Sequence, residues 1–127
     1  MSLSTRRSLA MMAAEDGELQ QADDALTALI DGLALDGGEP ADLRQLSEAC
    51  RCLLNRAAVR SWAVRPAEAL QDLAQAEALA EPLKPLQRSG VLINLLDARA
   101  RLLAAPHTPV HDPAAAQAAA SAMRAVA

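Results

Sequence analysis

Side chains that could catalyse a reaction or bind a metal are few in this sequence, and one group of them lies near its end. His107, His111 and Asp112 belong to the proline-rich segment 106–113. Two imidazoles and a carboxylate could contribute to a metal site, but such sites require further strong ligands, and no cysteine is nearby. We therefore interpret the segment as an exposed loop and predict no metal site.

A second group is acidic and lies early in the chain, at Glu15, Asp16, Glu18, Asp23 and Asp24. Paired carboxylates act as acid and base only when a pocket gives them different environments. A cluster at the start of a helix is more simply a solvated face, favoured there by the helix dipole. The glycines stand in turns rather than in a phosphate-binding loop, and no local signature groups a nucleophile with a base. We predict no catalytic residues, no cofactor and no enzymatic activity.

The two cysteines, Cys50 and Cys52, are separated by one residue within a helical stretch. At that spacing their side chains point to different sides of the helix, so a disulfide between them is not expected. They are interpreted as small, partly buried hydrophobic residues. Free thiols of this kind fit a reducing compartment.

Composition predicts a single all-α domain covering residues 1–127. The chain has 127 residues, of which 52% are hydrophobic and 31 are alanine, the best helix former. Aromatic residues make up only 1%, with Trp62 alone, and residues that favour strands are scarce.

Charge and hydropathy exclude two classes of partner and suggest a location. The net charge of −4 does not fit nucleic-acid binding, which needs clustered Lys and Arg. Residues 4–10 begin like a twin-arginine export signal, but the apolar run 9–14 is shorter than the roughly 7–15 residues such a signal needs. No segment approaches the about 20 apolar residues of a membrane span. We expect a cytoplasmic protein with neither nucleic acid nor membrane as a partner.

Apolar periodicity predicts six helices, at about 3–15, 18–35, 40–64, 66–81, 84–105 and 113–126. Pro66 and Pro113 suit the first position of their helices, with Asp112 as an N-cap. Short connections make consecutive helices antiparallel, which gives three pairs at 3–35, 40–81 and 84–126. The predicted buried stripes are Leu26, Leu29, Ile30 and Leu33; Leu43, Leu46, Ala49, Cys50, Leu53, Leu54 and Ala57; Leu70, Leu73, Ala74 and Leu79; and Val91, Leu92, Leu95, Leu96, Leu102 and Leu103.

A weak internal repeat links the three pairs. The second pair has small or apolar residues at Ala57, Ala69, Leu73 and Ala76. The first repeats this spacing at Ala10, Ala22, Leu26 and Leu29, with Gly17 at the turn. The third repeats it, after a six-residue insertion, at Ala98, Ala116, Ala120 and Met123. Small residues at these positions let the two helices of a pair approach closely, while the larger residue fills space toward the next pair.

This pattern resembles the tetratricopeptide repeat. The resemblance implies three stacked antiparallel helix pairs in a right-handed α-solenoid. Two features depart from the family pattern. The alanines at 10, 57 and 98 recur at intervals of 47 and 41 residues instead of the family's roughly 34, and the family's usual aromatic residues are absent.

The resemblance also implies a concave groove lined by the first helix of each pair. The residues expected there are Arg7, Met11, Asn55, Ala58, Trp62, Arg88, Leu92, Leu95 and Arg99. In peptide-binding members of the family, an asparagine at the position of Asn55 holds the ligand backbone. Arg7 and Arg88 would then face an acidic side chain or a terminal carboxylate of the ligand.

The function predicted from these features is binding of another protein or peptide segment, as an adaptor or a small chaperone. Small bacterial secretion chaperones share the architecture. Two alternatives remain open. The alanine-rich last helix and the uncapped end pairs could pack in a homo-oligomer or a larger complex. A site between helices could instead bind a small ligand, as in an enzyme accessory protein.

Overall fold

The computed structural model describes residues 2–33 and 42–126, and over these residues it contains six α-helices and no strand. The all-α prediction is therefore confirmed. The helices are α1 (Leu3–Glu15), α2 (Leu19–Gly32), α3 (Leu43–Trp62), α4 (Pro66–Ala80), α5 (Pro85–Ala104) and α6 (Pro113–Val126). Most boundaries lie within two residues of their predictions. The predicted end of the second helix and the predicted start of the third fall outside the described residues.

Local sequence explains where the helices begin. The N-cap side chains of Ser2, Asp42 and Asp112 each accept a hydrogen bond from a first-turn backbone N–H at 3.0–3.1 Å. Proline occupies the first helical position of α4, α5 and α6, where its missing N–H costs nothing. The predicted roles of Pro66, Asp112 and Pro113 are thus confirmed.

Two turns within the first two pairs use left-handed backbone. After α1, Gly17 has φ +89°, which glycine adopts without strain. After α3, the same kind of turn places Val64 at φ 60°, where a β-branched residue is strained. This turn ends α3 at Trp62, two residues before the predicted end.

The helices pack in a row of pairs. Contacts join α1 to α2, α3 to α4 and α5 to α6, and further contacts join α2 to α3 and α4 to α5. The first helices of successive pairs also touch, α1 with α3 and α3 with α5. Within the described residues, the backbones of the second helices α2, α4 and α6 do not approach one another closely. This packing is consistent with a helical repeat, with α1, α3 and α5 in one layer.

The core follows the predicted stripes with two corrections. Leu26, Leu53, Leu73 and Leu95, one from each of α2 to α5, are completely buried. Leu43 is instead exposed at the start of α3, and Ala74 is exposed on the outer side of α4. All eight repeat positions of the first two pairs are buried: Ala10, Ala22, Leu26, Leu29, Ala57, Ala69, Leu73 and Ala76. The third series is less buried, because α6 contacts only α5.

Neither cysteine forms a disulfide, as predicted. Cys50 and Cys52 are fully buried, whereas partial burial was expected. Burial raises the pKa of each thiol to about 11, so both stay protonated near neutral pH. They pack as small hydrophobic residues.

An ionic network joins α2, α3 and α4 inside the protein. Its acidic members are Asp23 on α2 and Asp72 on α4, which are only 5% and 2% exposed. The interpretation of Asp23 as part of a solvated face is therefore wrong. The acidic cluster divides because Asp23 lies on the same side of α2 as the buried Ala22, Leu26 and Ile30.

Arginines of α3 lie between these two carboxylates. Arg60 donates to Asp23 Oδ2 from Nε at 2.9 Å and to Asp72 Oδ1 from Nη1 at 3.1 Å. Arg56 donates to Asp72 Oδ1 from Nη2 at 2.7 Å and to Thr27 Oγ1 from Nη1 at 3.0 Å. No buried side-chain polar atom of the described residues lacks a partner. The network therefore meets the condition that buried charges be paired and hydrogen-bonded.

The network predicts a loss of stability in acid. Burial alone would raise the pKa of Asp23, but the hydrogen bond and charge of Arg60, with smaller contributions from Thr27 and Arg65, hold that pKa below its usual range. An unfolded Asp23 protonates below about pH 4, where the folded form still binds no proton. The stabilisation is thus complete above that pH and is lost as the pH falls through the lower, folded pKa.

The measurement is the free energy of unfolding by urea at a series of pH values from 7 to 3. Asp23→Asn should flatten the acid limb relative to the wild type. Asp24→Asn, an exposed neighbour, should leave it unchanged. Equal acid limbs in all three proteins would contradict the pairing of Asp23.

Candidate functional site

The α3–α5 groove is an open depression between these two helices, with α1 at its edge. Both helices run in the same direction, since their first turns share one end of the depression and their last turns share the other. Its walls among the described residues are, from α1, Arg7; from α3 and the residue before it, Asp42, Leu43, Arg44, Ser47, Glu48, Arg51, Leu54, Asn55, Ala57, Ala58, Ser61 and Trp62; and from α5 with its flanking residues, Lys84, Leu86, Gln87, Gly90, Val91, Asn94, Asp97, Ala98, Arg101, Leu102 and Ala105.

The end formed by the last turns is mainly apolar, and we call it the apolar lobe. It has a volume of about 390 Å³ and is lined mostly by Leu54, Ala57, Ala58, Trp62, Ala98, Leu102 and Ala105. The indole of Trp62 is 52% exposed at the rim. Alanines on both walls keep the lobe open, because larger side chains at these positions would fill it.

The middle of the groove contains polar side chains from all three helices. Arg7 of α1 donates from Nη1 to Asn55 Oδ1 of α3 at 2.9 Å and from Nε to Glu48 Oε2 at 3.3 Å. The first of these bonds holds Asn55 by its oxygen. Its amide NH₂ therefore remains able to donate to a ligand.

Arg51 and Asn94 also line this middle section. Arg51 of α3 and Asn94 of α5 both line the two adjoining depressions that meet at Leu54. Arg51 is exposed and makes no ion pair with any other described residue. A guanidinium and amides in one place can donate hydrogen bonds to carbonyl or carboxylate oxygens.

The end formed by the first turns is charged, and we call it the cationic end. Arg44, Arg51 and Lys84 lie here with Asp42 and Glu48. The first turns of α3 and α5 both open here, and helix N-termini add partial positive charge. The groove therefore changes from cationic to apolar along its length.

Four of the nine predicted groove residues line this depression: Arg7, Asn55, Ala58 and Trp62. Met11 of α1 is half-buried and packs against the core. The Arg7–Asn55 bond also brings together two residues that lie 48 positions apart in the chain.

The predicted residues of α5 lie one position away from the residues that line the depression. Leu95 is completely buried and Leu92 packs against the core, so neither supplies groove surface. Arg99 donates to Glu77 of α4 at 3.1 Å, and Arg88 pairs with Glu81 at 3.6 Å, both away from the groove. The groove face of α5 is instead the row Gln87, Val91, Asn94, Ala98 and Arg101. A shift of one residue rotates a helix by about 100°, because a turn contains 3.6 residues.

Arg51 and Asn94 line the groove but were not among the predicted residues. The position of Arg51 could have been predicted from the sequence, since it lies four residues before Asn55 and therefore on the same face of α3. Asn94 could not be assigned without the correct rotation of α5.

The other candidates for chemistry do not form a site. His107 and His111 are exposed, as the loop interpretation predicted. Among the described residues, no three His, Cys, Asp or Glu side chains lie close enough to share a metal. None of the helices combines the length and hydropathy needed to cross a bilayer, as judged over the part of the chain described.

Comparison with known proteins gives no relative: no family model, no curated protein and no solved structure matches this chain.

Proposed function

We propose that this chain is a protein-binding module that holds a segment of a partner protein in the α3–α5 groove, as a tetratricopeptide-like adaptor or small chaperone. The single observation that supports the proposal most is the uncovered apolar lobe with Trp62 half exposed at its rim. Tryptophan is enriched among the residues that dominate binding energy at protein interfaces.

Binding would combine burial with hydrogen bonds. An apolar side chain of the partner entering the apolar lobe would gain roughly 25 cal/mol for each Å² removed from water. The free NH₂ of Asn55 and the amide of Asn94 would donate to, or accept from, the partner backbone. The side chain would supply affinity, and the amides would fix the register of the segment.

Blocking the lobe tests this proposal. Ala58 is half-buried on the lobe wall, so Ala58→Arg would place a long charged side chain in the groove without entering the core. We expect affinity for a partner purified from the native source to fall by at least about tenfold, since an interface anchor would be displaced. Trp62 is the only aromatic residue, so its fluorescence should shift on binding and report occupancy directly.

Ala78→Arg is the matched control, because Ala78 is an exposed alanine of α4 outside the groove. The control should bind like the wild type and show the same shift in Trp62 emission. Equal affinities for Ala58→Arg and Ala78→Arg would overturn the groove as the binding site.

Self-association is a second candidate, favoured by the exposure of apolar side chains on the end helix α1. Leu9 is 47% and Met12 is 59% exposed there. A face of this kind fits packing against another copy. A light-scattering mass that stays monomeric at increasing protein concentration would contradict it.

A further inference from the structure

We infer that the segment bound in the groove is acidic at one end, with its acidic side chains about five residues from a large apolar side chain. This inference rests on the proposed function and specifies its ligand. The segment is bipartite: its carboxylates contact the cationic end of the groove, and its apolar residue fills the apolar lobe.

The charge distribution of the groove supports the acidic end of the inferred segment. The described groove walls hold five basic side chains, Arg7, Arg44, Arg51, Lys84 and Arg101, and three acidic ones, Asp42, Glu48 and Asp97. The whole chain has 12 basic and 16 acidic residues, so the remainder has 7 and 13. The described groove walls thus carry a net charge of +2, whereas the other residues of the chain together carry −6. Charge complementarity of this kind selects acidic partners and repels basic ones.

The charge is also confined to one half of the groove. Arg101 is paired with Asp97 beside the apolar lobe, which leaves that end neutral. Arg7 is paired with Glu48, whereas Arg51 has no ionic partner among the described residues. Arg44 and Lys84 likewise make no ion pair with a described residue, but Arg51 lines all three adjoining depressions of the cationic end and the middle of the groove. Arg51 is therefore the side chain best placed to meet a carboxylate of the ligand, with Arg44 and Lys84 adding to the local potential.

The dimensions of α3 set the spacing. Arg51 and Trp62 are eleven positions apart on one helix, which corresponds to about 16 Å at 1.5 Å per residue. An extended segment advances about 3.3 Å per residue, so about five residues cover the distance.

The orientation of Asn55 agrees with the same ligand. Because Asn55 Oδ1 accepts from Arg7, this amide offers the groove its NH₂ group. Next to Arg51, the middle of the groove therefore presents donors. Donors match the carbonyl and carboxylate oxygens of an acidic segment.

A random twelve-residue peptide display library tests the inference on the full chain. Selection on the wild type is followed by removal of peptides that also bind Ala58→Arg, which leaves groove-dependent sequences. We expect these to be enriched in Asp and Glu at about five residues from a Leu, Ile or Met, in either chain direction. Selected peptides are then synthesised with both ends capped, so that side chains carry all the charge.

Affinities are measured by Trp62 fluorescence for each capped peptide and for its Glu→Gln version. Removing the acidic groups should weaken binding by about tenfold or more, and Arg51→Gln should weaken binding of the acidic peptide by about fivefold while leaving the Gln version unchanged. Arg6→Gln, an exposed arginine of α1 outside the groove, is the control.

Other outcomes would contradict either the inference or the proposed function. Groove-dependent peptides without acidic enrichment, or equal binding of the Glu and Gln versions, would overturn the inference and leave the proposed function standing. Binding that disappears when the peptide C-terminus is capped would also overturn it, since the charge would then come from the terminus. Recovery of no groove-dependent peptide would overturn the proposed function itself.

Discussion

Replacing Asp72 with alanine should lower the free energy of unfolding by about 3–5 kcal/mol, the usual cost of removing one partner from a buried ion pair. Asp72 is 2% exposed and accepts hydrogen bonds from both Arg56 and Arg60. Without it, Arg56 keeps only the hydroxyl of Thr27 among its hydrogen-bond partners in the network. Urea unfolding followed by circular dichroism at the helix band measures the loss.

A double variant separates the cost of an unpaired charge from the value of the pair. Arg56→Met with Asp72→Leu replaces both charges by apolar groups of comparable size, while Arg60 keeps its bonds to Asp23. Such replacements are often neutral, so the double variant should be more stable than Asp72→Ala. Asp24→Ala, on the exposed side of α2, should change little. A double variant as unstable as Asp72→Ala would indicate that packing around the network matters more than its charges.

Leu73→Ala should cost about 2–5 kcal/mol, because it removes a fully buried side chain and leaves a cavity. Leu73 is 0% exposed on α4, the helix that contacts both α3 and α5. It is also the large residue of the repeat series between Ala69 and Ala76. The cavity would therefore open where successive pairs meet. The midpoint of urea unfolding gives the change if the slope of the transition stays constant.

Leu86→Ala is the matched control for this measurement. It makes the same replacement of leucine by alanine, but at a side chain that is 89% exposed. Surface substitutions of this kind usually stay within about 0.5 kcal/mol of the wild type. A similar loss from both variants would contradict the assignment of Leu73 to the packed core.

The sequence was sufficient to predict the helices, because their signals are local. Alanine content, apolar periodicity and the caps at Asp112 and Pro113 act within one or two turns. The repeat spacing also selected residues that become buried, such as Ala57 and Ala69.

The wall of the groove on α5 could not be predicted in the same way. Leucine occupies several faces of α5, so the periodicity leaves its rotation ambiguous by one residue. For this reason Leu95 was predicted to line the groove, whereas in the structure its side chain is completely buried in the core.

The ionic network was beyond sequence reasoning for a different reason. Asp23 and Arg60 are 37 residues apart, and nothing local distinguishes them from the many exposed charges of this chain. Their pairing exists only because α2, α3 and α4 meet. A buried carboxylate on an otherwise acidic helix is therefore recognised only after the fold is known.

The position of Arg60 between two carboxylates has a consequence for how the two walls of the groove are held in place. It ties α3 to helices on both sides through buried charges. The ion pairs of α5 instead involve partners with substantial exposure, such as Glu77 and Glu81. The α3 wall of the groove is thus tied to its neighbours through buried charges, whereas the α5 wall is held by apolar burial, as at Leu95, and by ion pairs open to solvent. Added salt would therefore screen the ion pairs of the α5 wall more than those of the α3 wall.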